Sequence, residues 1–157
     1  MARRRRAQKR KIELDPRFKS ALVSKFINKV MLDGKKSTAR TIVYEAIEAL
    51  GAKFPAEDPL IVFEQALENA KPSLEVKSRR IGGATYQVPV EIASERRASL
   101  AMKWVITFAR EKPGKSMKDG LYMELADCYQ NQGSSIKKKD DTHKMAEANK
   151  AFAHYKW

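Results

Sequence analysis

The sequence predicts a mainly α fold: a six-helix bundle with one protruding β-hairpin arm between the third and fourth helices, preceded by a disordered basic tail. Three observations predict it. Apolar residues recur at spacings of three and four over most of the chain, with Ser, Asp, Pro and Gly at the breaks; that is helical periodicity punctuated by caps. One stretch, Leu74 to Ile92, instead alternates with period two around Gly82-Gly83, the pattern of a hairpin. Finally, the first eleven residues carry seven Arg or Lys and no acid. Charges of one sign at that density cannot pack against one another. The expected division is therefore residues 1–11 as a basic tail and residues 12–157 as a single helical domain with its arm at 74–92.

The first helix follows Ser20, a good N-cap, and places Val23, Phe26, Ile27, Val30 and Met31 on one face. Gly34 suits its C-terminal turn, and Lys35 and Lys36 begin a basic connection. The second helix opens near Ser37 with Ala39, Ile42, Val43, Ala46, Ile47 and Leu50 as its stripe; Phe54-Pro55 marks its end. Asp58 caps the third helix and Pro59 takes its first position, where a missing N–H costs nothing. Leu60, Phe63, Ala66, Leu67 and Ala70 face inward, and Pro72 stops the helix.

In the arm, Tyr86, Val88, Val90 and Ile92 share one face of the second strand. Pro89 cannot donate to a ladder, so that strand is expected at an edge. About seven residues per strand give a reach of roughly 23 Å. Two strands alone are marginal in water. This pair also places Lys77, Arg79 and Arg80 toward its tip, which points to an anionic partner.

A fourth helix is expected from about Ser94 to Lys112, with Leu100, Ala101, Trp104, Val105 and Phe108 inward and Arg96, Arg97, Lys103, Arg110 and Lys112 outward. Trp104 reads as core rather than as a platform for a base. Ser116 caps a fifth helix whose inner face is Met117, Leu121, Leu125 and Cys128, with Gly120 a local weakness. Gly133-Ser134-Ser135 breaks it. Lys137 to Lys139 and Asp140 to Thr142 then read as a lead-in to a final helix running to the C-terminus, with Met145, Ala148, Phe152 and Tyr155 on one face.

Composition bounds the function. A chain of 157 residues carrying a net charge of +13 favours polyanions. No apolar run approaches the roughly 20 residues of a spanning helix, and no secretory leader is expected. A single cysteine, Cys128, fits a reducing compartment, the cytosol. Gly34-Lys35-Lys36 lacks the upstream glycine spacing of a phosphate-binding loop. His143 and His154 are eleven residues apart and make no compact ligand pair, so no metal or other cofactor is expected. Cys128 with His143 has no context as a nucleophile and base. An enzyme reading has no anchor.

Three long stretches carry a resemblance. VKSRRIGGATYQVPVEI (76–92), DDTHKMAEANKAFAHYKW (140–157) and INKVMLDGKKSTARTIVYEA (27–46) resemble the bacterial-type ribosomal protein seven family of the small subunit. The likeness spans essentially the whole chain; GLYMELADCYQNQ (120–132) is its most individual part. The resemblance implies six helices plus a hairpin. It also implies a structural constituent of the small subunit that binds the 3′ major domain of 16S rRNA, nucleates assembly of the head, and lies at the subunit interface by the exit-site tRNA and the mRNA path. Ribosomal proteins nine and eleven are its implied neighbours, and it is implied to be a monomer within a cytoplasmic ribosome. Carried onto this chain, Arg3, Arg4, Arg5, Arg6, Lys9, Arg10, Lys11, Lys35, Lys36, Arg96, Arg97, Lys103 and Arg110 would hold rRNA. Lys77, Arg79, Arg80, Gly82, Gly83 and Tyr86 would belong to the arm that reaches RNA and the exit site. Lys144, Lys150, His154 and Lys156 would lie near tRNA and a neighbouring protein.

The alternative is an architectural DNA-binding protein with a basic β arm. Such arms use an apolar wedge at the tip, and Ile81 is the only candidate. An RNA-modifying enzyme would need paired acid and base groups or a cofactor loop, and none is legible.

Overall fold

A computed structural model describes residues 12–155. The order of elements is α1 (Ala21–Val30), α2 (Lys36–Lys53), α3 (Pro59–Asn69), β1 (Leu74–Ile81), β2 (Ala84–Glu91), α4 (Ser94–Glu111), α5 (Met117–Tyr129) and α6 (Gly133–Ala148), closed by a 3-10 turn over Lys150–Tyr155. This is the expected mainly helical fold with one arm. The basic tail of residues 1–11 lies outside the described residues, as do Lys156 and Trp157.

The helix starts follow local chemistry. Ser20 Oγ accepts from the backbone N–H groups of Leu22 and Val23. Asp58 accepts from Leu60 with Pro59 behind it, and Ser116 accepts from Asp119. Ahead of α1, the Asp15 carboxylate accepts from the N–H groups of Arg17 and Phe18 and from Tyr44 Oη at 2.8 Å. That short turn is thereby fixed to α2, although Asp15 is buried.

The core is one cluster drawn from all six helices. Phe26, Ile27, Leu50, Phe63, Leu67, Leu121 and Leu125 are among its buried side chains. Phe26 and Phe63 meet edge-on at 5.2 Å between centroids. Each such side chain contributes about 1.5–3 kcal/mol on burial. Helix α5 is the hub, packing on α2, α3, α4 and α6. Its Gly120 has a packing role that sequence reading took for a weakness. A Cβ there would lie 2.5 Å from the carbonyl oxygen of Ala109, so α4 and α5 pack closely only because it is glycine.

Glu124 of α5 is fully buried. Its Oε1 accepts from Ser135 N–H at 2.9 Å and Ser135 Oγ at 2.7 Å. Its Oε2 makes no well-aligned hydrogen bond but faces Lys112 Nζ at 3.0 Å. Gln132 gives α6 no side-chain cap. The Glu124 carboxylate therefore caps α6 from another helix, where the dipole favours negative charge.

Two helices depart from the sequence expectations. Helix α6 begins at Gly133, so Lys137 to Thr142 are helix and not a lead-in. Its buried positions are Ser135, Ile136, Thr142 and Ala146, while Met145 is 47% exposed. It also ends at Ala148, and the chain tightens into the 3-10 turn instead of running on as an α-helix. The inner face of α4 is Ala101, Met102, Val105, Ile106 and Ala109. Leu100, Trp104 and Phe108 are only half-buried. The helix is rotated from the expected stripe because its small residues let α5 come close, and the large ones border that contact.

The arm is a two-stranded antiparallel sheet in which Leu74 pairs with Glu91 and Ile81 with Ala84. Gly82 and Gly83 have φ of +56° and +91°, the two positive values that a two-residue hairpin turn with the right twist requires. The arm is held at three places, two at its base and one nearer its tip. Arg96 of α4 donates to both oxygens of Glu75, from Nε at 3.1 and 3.0 Å and from Nη2 at 2.8 Å. Lys77 adds a contact of 3.2 Å to the same carboxylate. His143 Nε2 of α6 accepts from Ser73 N–H at 3.0 Å. Tyr86 sits against Phe152 and Tyr155 of the 3-10 turn, with centroids 5.2 and 5.4 Å apart. The C-terminal element therefore docks on the arm.

Two outcomes follow from these anchors. Glu124→Ala removes a buried partner of Lys112 and the cap of α6, and should lower the unfolding free energy by about 3–5 kcal/mol in a urea titration. The hydrogen bonds from Arg96 hold the Glu75 carboxyl below its usual range. A depressed carboxyl stabilises the fold above its unfolded pKa, and that contribution is lost as pH falls through the folded value. Arg96→Met should move the Glu75 midpoint, read by NMR, upward; an unmoved midpoint would contradict the assignment.

Candidate nucleic-acid interface

The cations collect where α1, α4 and the turn before α2 meet. Helix α1 ends at Val30, and the chain turns through Asp33 and Gly34 with φ of +51° and +74°. This turn leaves Lys35 and Lys36 exposed at the start of α2. Arg110, in the last turn of α4, donates from Nη2 to the Val30 carbonyl at 3.1 Å. It thereby neutralises an orphan acceptor at the C-terminus of α1. Arg110 and Lys35 line one shallow groove. Arg110, Lys103, Thr107 and Lys29 line a second cleft, of about 230 Å³.

Lys29 was not singled out by sequence reading. Its Nζ donates to Ser99 Oγ at 2.7 Å and to the Ser99 carbonyl at 3.3 Å, bridging α1 to α4. No sequence signal distinguishes it from Lys25, since only the meeting of the two helices selects it.

Arg96 and Arg97 stand at the other end of α4, beside the arm. Arg97 donates from Nε to the Ile92 carbonyl at 2.8 Å. A guanidinium has five N–H donors, so one structural bond aims the group while leaving donors outward. The structure thus assembles Lys35, Arg110 and Lys103 into one strip and sets Arg96 and Arg97 at the arm base. Lys77 is paired with Glu75. Arg79 stands opposite Tyr86, and Arg80 opposite Thr85, near the exposed Gly82-Gly83 tip. Tyr86 has its ring against Phe152 and Tyr155, so it orients the arm. Lys144, Lys150 and His154 are exposed at the C-terminal end, and His154 stacks on Tyr155 at 4.0 Å. Arg3 to Lys11 and Lys156 lie outside the described residues.

Cys128 is fully buried, and burial pushes its thiol up to about 12. A thiol in that state is not a nucleophile near neutral pH. No helix among the described residues is long and apolar enough to cross a membrane.

Comparison with known proteins gives a consistent answer. The family described as Ribosomal protein S7p/S5e matches residues 2–150. A protein of Protochlamydia amoebophila (strain UWE25) is 68% identical over 157 residues, covering all of both chains, and is named small ribosomal subunit protein uS7. Proteins of the same name from Chlamydia pneumoniae and Chlamydia felis (strain Fe/C-56) are 64% and 62% identical, again over the whole of both chains. The names of these relatives carry no DNA-binding role. With the helical fold, the single arm and the cationic strip all in place, the chain belongs to the Ribosomal protein S7p/S5e family.

Proposed function

We propose that this chain is a structural constituent of the small ribosomal subunit that binds rRNA directly. The observation that carries the reading is full-length identity of 62–68% to proteins named small ribosomal subunit protein uS7. The cationic strip across α1, α4 and the turn before α2 supports it. The finer reading is that the chain binds the 3′ major domain of 16S rRNA and nucleates the subunit head. On that reading it borders the exit-site tRNA and the mRNA path, with ribosomal proteins nine and eleven as neighbours, in a cytoplasmic ribosome. The family is not an enzyme class, and the proposed role requires no catalysis.

The mechanism is electrostatic and architectural. Helical cores fix where cations sit, and phosphate contacts then position the protein on RNA. Strands of rRNA that meet at a junction repel one another. A stiff polycation spanning them lowers that repulsion and releases condensed counterions. In this proposal Lys35, Lys36, Lys103 and Arg110 hold one segment, and Arg96 and Arg97 a second. Arg3 to Arg6 and Lys9 to Lys11 reach RNA too confined for a folded domain. Arg79, Arg80 and the Gly82-Gly83 tip, which has no side-chain bulk, approach RNA at the exit site. Lys144, Lys150, His154 and Lys156 lie near tRNA and the neighbouring protein. Recognition rests on RNA shape, because the deep A-form major groove hides base edges from side chains.

Binding to a transcript of the 3′ major domain should weaken by about 10³–10⁵ between roughly 50 and 200 mM salt if six to ten phosphates are contacted, on the duplex-DNA calibration. A filter-binding series checks this, and a flat response rejects the electrostatic account. For the arm, Arg79→Ala with Arg80→Ala should leave transcript binding largely intact while altering exit-site tRNA retention in reconstituted subunits. Lost transcript binding with normal tRNA retention would reverse the assignment.

A further inference from the structure

The turn between α1 and α2 holds a large apolar side chain in water. Lys35 N–H donates to the Leu32 carbonyl at 2.9 Å, and between them Asp33 and Gly34 have φ of +51° and +74°. Two positive values inside a closed four-residue turn make it the tight mirror-image form. Backbone geometry, not a loose loop, therefore keeps Leu32 60% exposed. A single exposed leucine is ordinary on a protein surface. This one lines a groove of about 390 Å³ between the turn, α2 and the junction of α4 with α5. Val30 and Ala39 are buried in its floor, and Ile42 and Met117 are half-buried beside them. The rest of the lining is polar and exposed: Asp33, Lys35, Thr38 and Arg110. Arg110 is pinned there by its bond to the Val30 carbonyl, and Lys36 is exposed next to Lys35.

An apolar floor with cations at its rim needs an occupant that is both flat and apolar and anionic. Unpaired RNA offers both, because its bases can be splayed out of the stack while its phosphates stay beside them. A continuous duplex keeps its base faces covered. We infer that the groove takes one unpaired base of the bound rRNA, covered by Leu32, with the adjoining phosphates at Lys35, Lys36 and Arg110. Charge selects this occupant over a basic segment of protein. Lys35, Lys36 and Arg110 outnumber the one acid of the rim, Asp33, in a chain of net charge +13. The volume falls within the range of sites for small organic groups. Leu32 has no polar group with which to read a base edge, so the contact tolerates any base and senses only that it is unstacked. Strands meeting at a junction supply such bases, which places this contact where the cationic strip is proposed to hold them.

This inference deepens the rRNA reading above and rests on it, and the experiment separates the two. The full chain, Leu32→Ser and Leu32→Met are titrated with the 3′ major domain transcript. Leu32 is mostly in water, so the urea midpoint of Leu32→Ser should match that of the wild type. Its binding should weaken roughly five-fold with an unchanged salt slope, since no cation is lost, and Leu32→Met should bind as the wild type does. Lys35→Ala should instead lower the salt slope by about one. A benzophenone side chain installed at Thr38, on the groove rim, should crosslink on irradiation to transcript nucleotides that chemical probing reports as unpaired. Wild-type affinity of Leu32→Ser, or crosslinks that run to paired RNA or back to residues 1–11 of the chain, overturns the groove while leaving rRNA binding in place. Failure of the wild-type chain to prefer this transcript over an unrelated one overturns the broader reading instead.

Discussion

One buried carboxylate holds the architecture together. Glu124 lies inside α5, the helix that touches four others, and reaches the end of α4 through Lys112 and the start of α6 through Ser135. A lone carboxylate in such a place would cost several kcal/mol. Here the cost is offset by two hydrogen bonds, a lysine charge and the partial positive charge at a helix N-terminus. The arrangement is directional. Gly133 has φ of +88°, and a Cβ there would lie 2.9 Å from Asp127 Cβ, so the turn into α6 favours glycine. Lys139 extends the tie by donating to the Asn69 carbonyl at the end of α3.

The direction of α6 in turn sets the direction of the arm. His143 on α6 meets Ser73 just before β1, and the 3-10 turn after α6 lays Phe152 and Tyr155 on Tyr86. The Arg96–Glu75–Lys77 cluster fixes the opposite side of the base to α4. An isolated two-stranded sheet would be marginal; this one is propped by two helices and the 3-10 turn, with its tip left exposed. An arm already aimed loses little entropy when it meets a partner.

The same economy recurs in the cations. Arg97 and Arg110 each spend one donor on a backbone carbonyl, and Lys29 spends its ammonium on Ser99. These bonds hold long side chains that would otherwise sample many rotamers. Their cost in order falls on folding rather than on binding. An exposed lysine such as Lys36 lacks that support among the bonds described and acts as a mobile point charge.

Much of this protein can be read along the chain, because caps, glycine turns and apolar periods are local. Ser20, Asp58 with Pro59, and Ser116 marked three helix starts, and Gly82-Gly83 marked the hairpin. The charge excess points to a polyanion from composition alone. What could not be read depends on residues distant in sequence. The start of α6 was hidden because its cap, Glu124, comes from another helix and its charged run looks like a linker. The facing of α4 was missed because Gly120 admits Ala109, so the small residues and not Trp104 turn inward. Lys29 became part of the site only where α1 meets α4. Local propensity determined which segments are helix or strand and what kind of partner they suit; packing between segments decided which charges stand together and where the arm points, since a side chain's neighbours across the core are not written beside it in the chain.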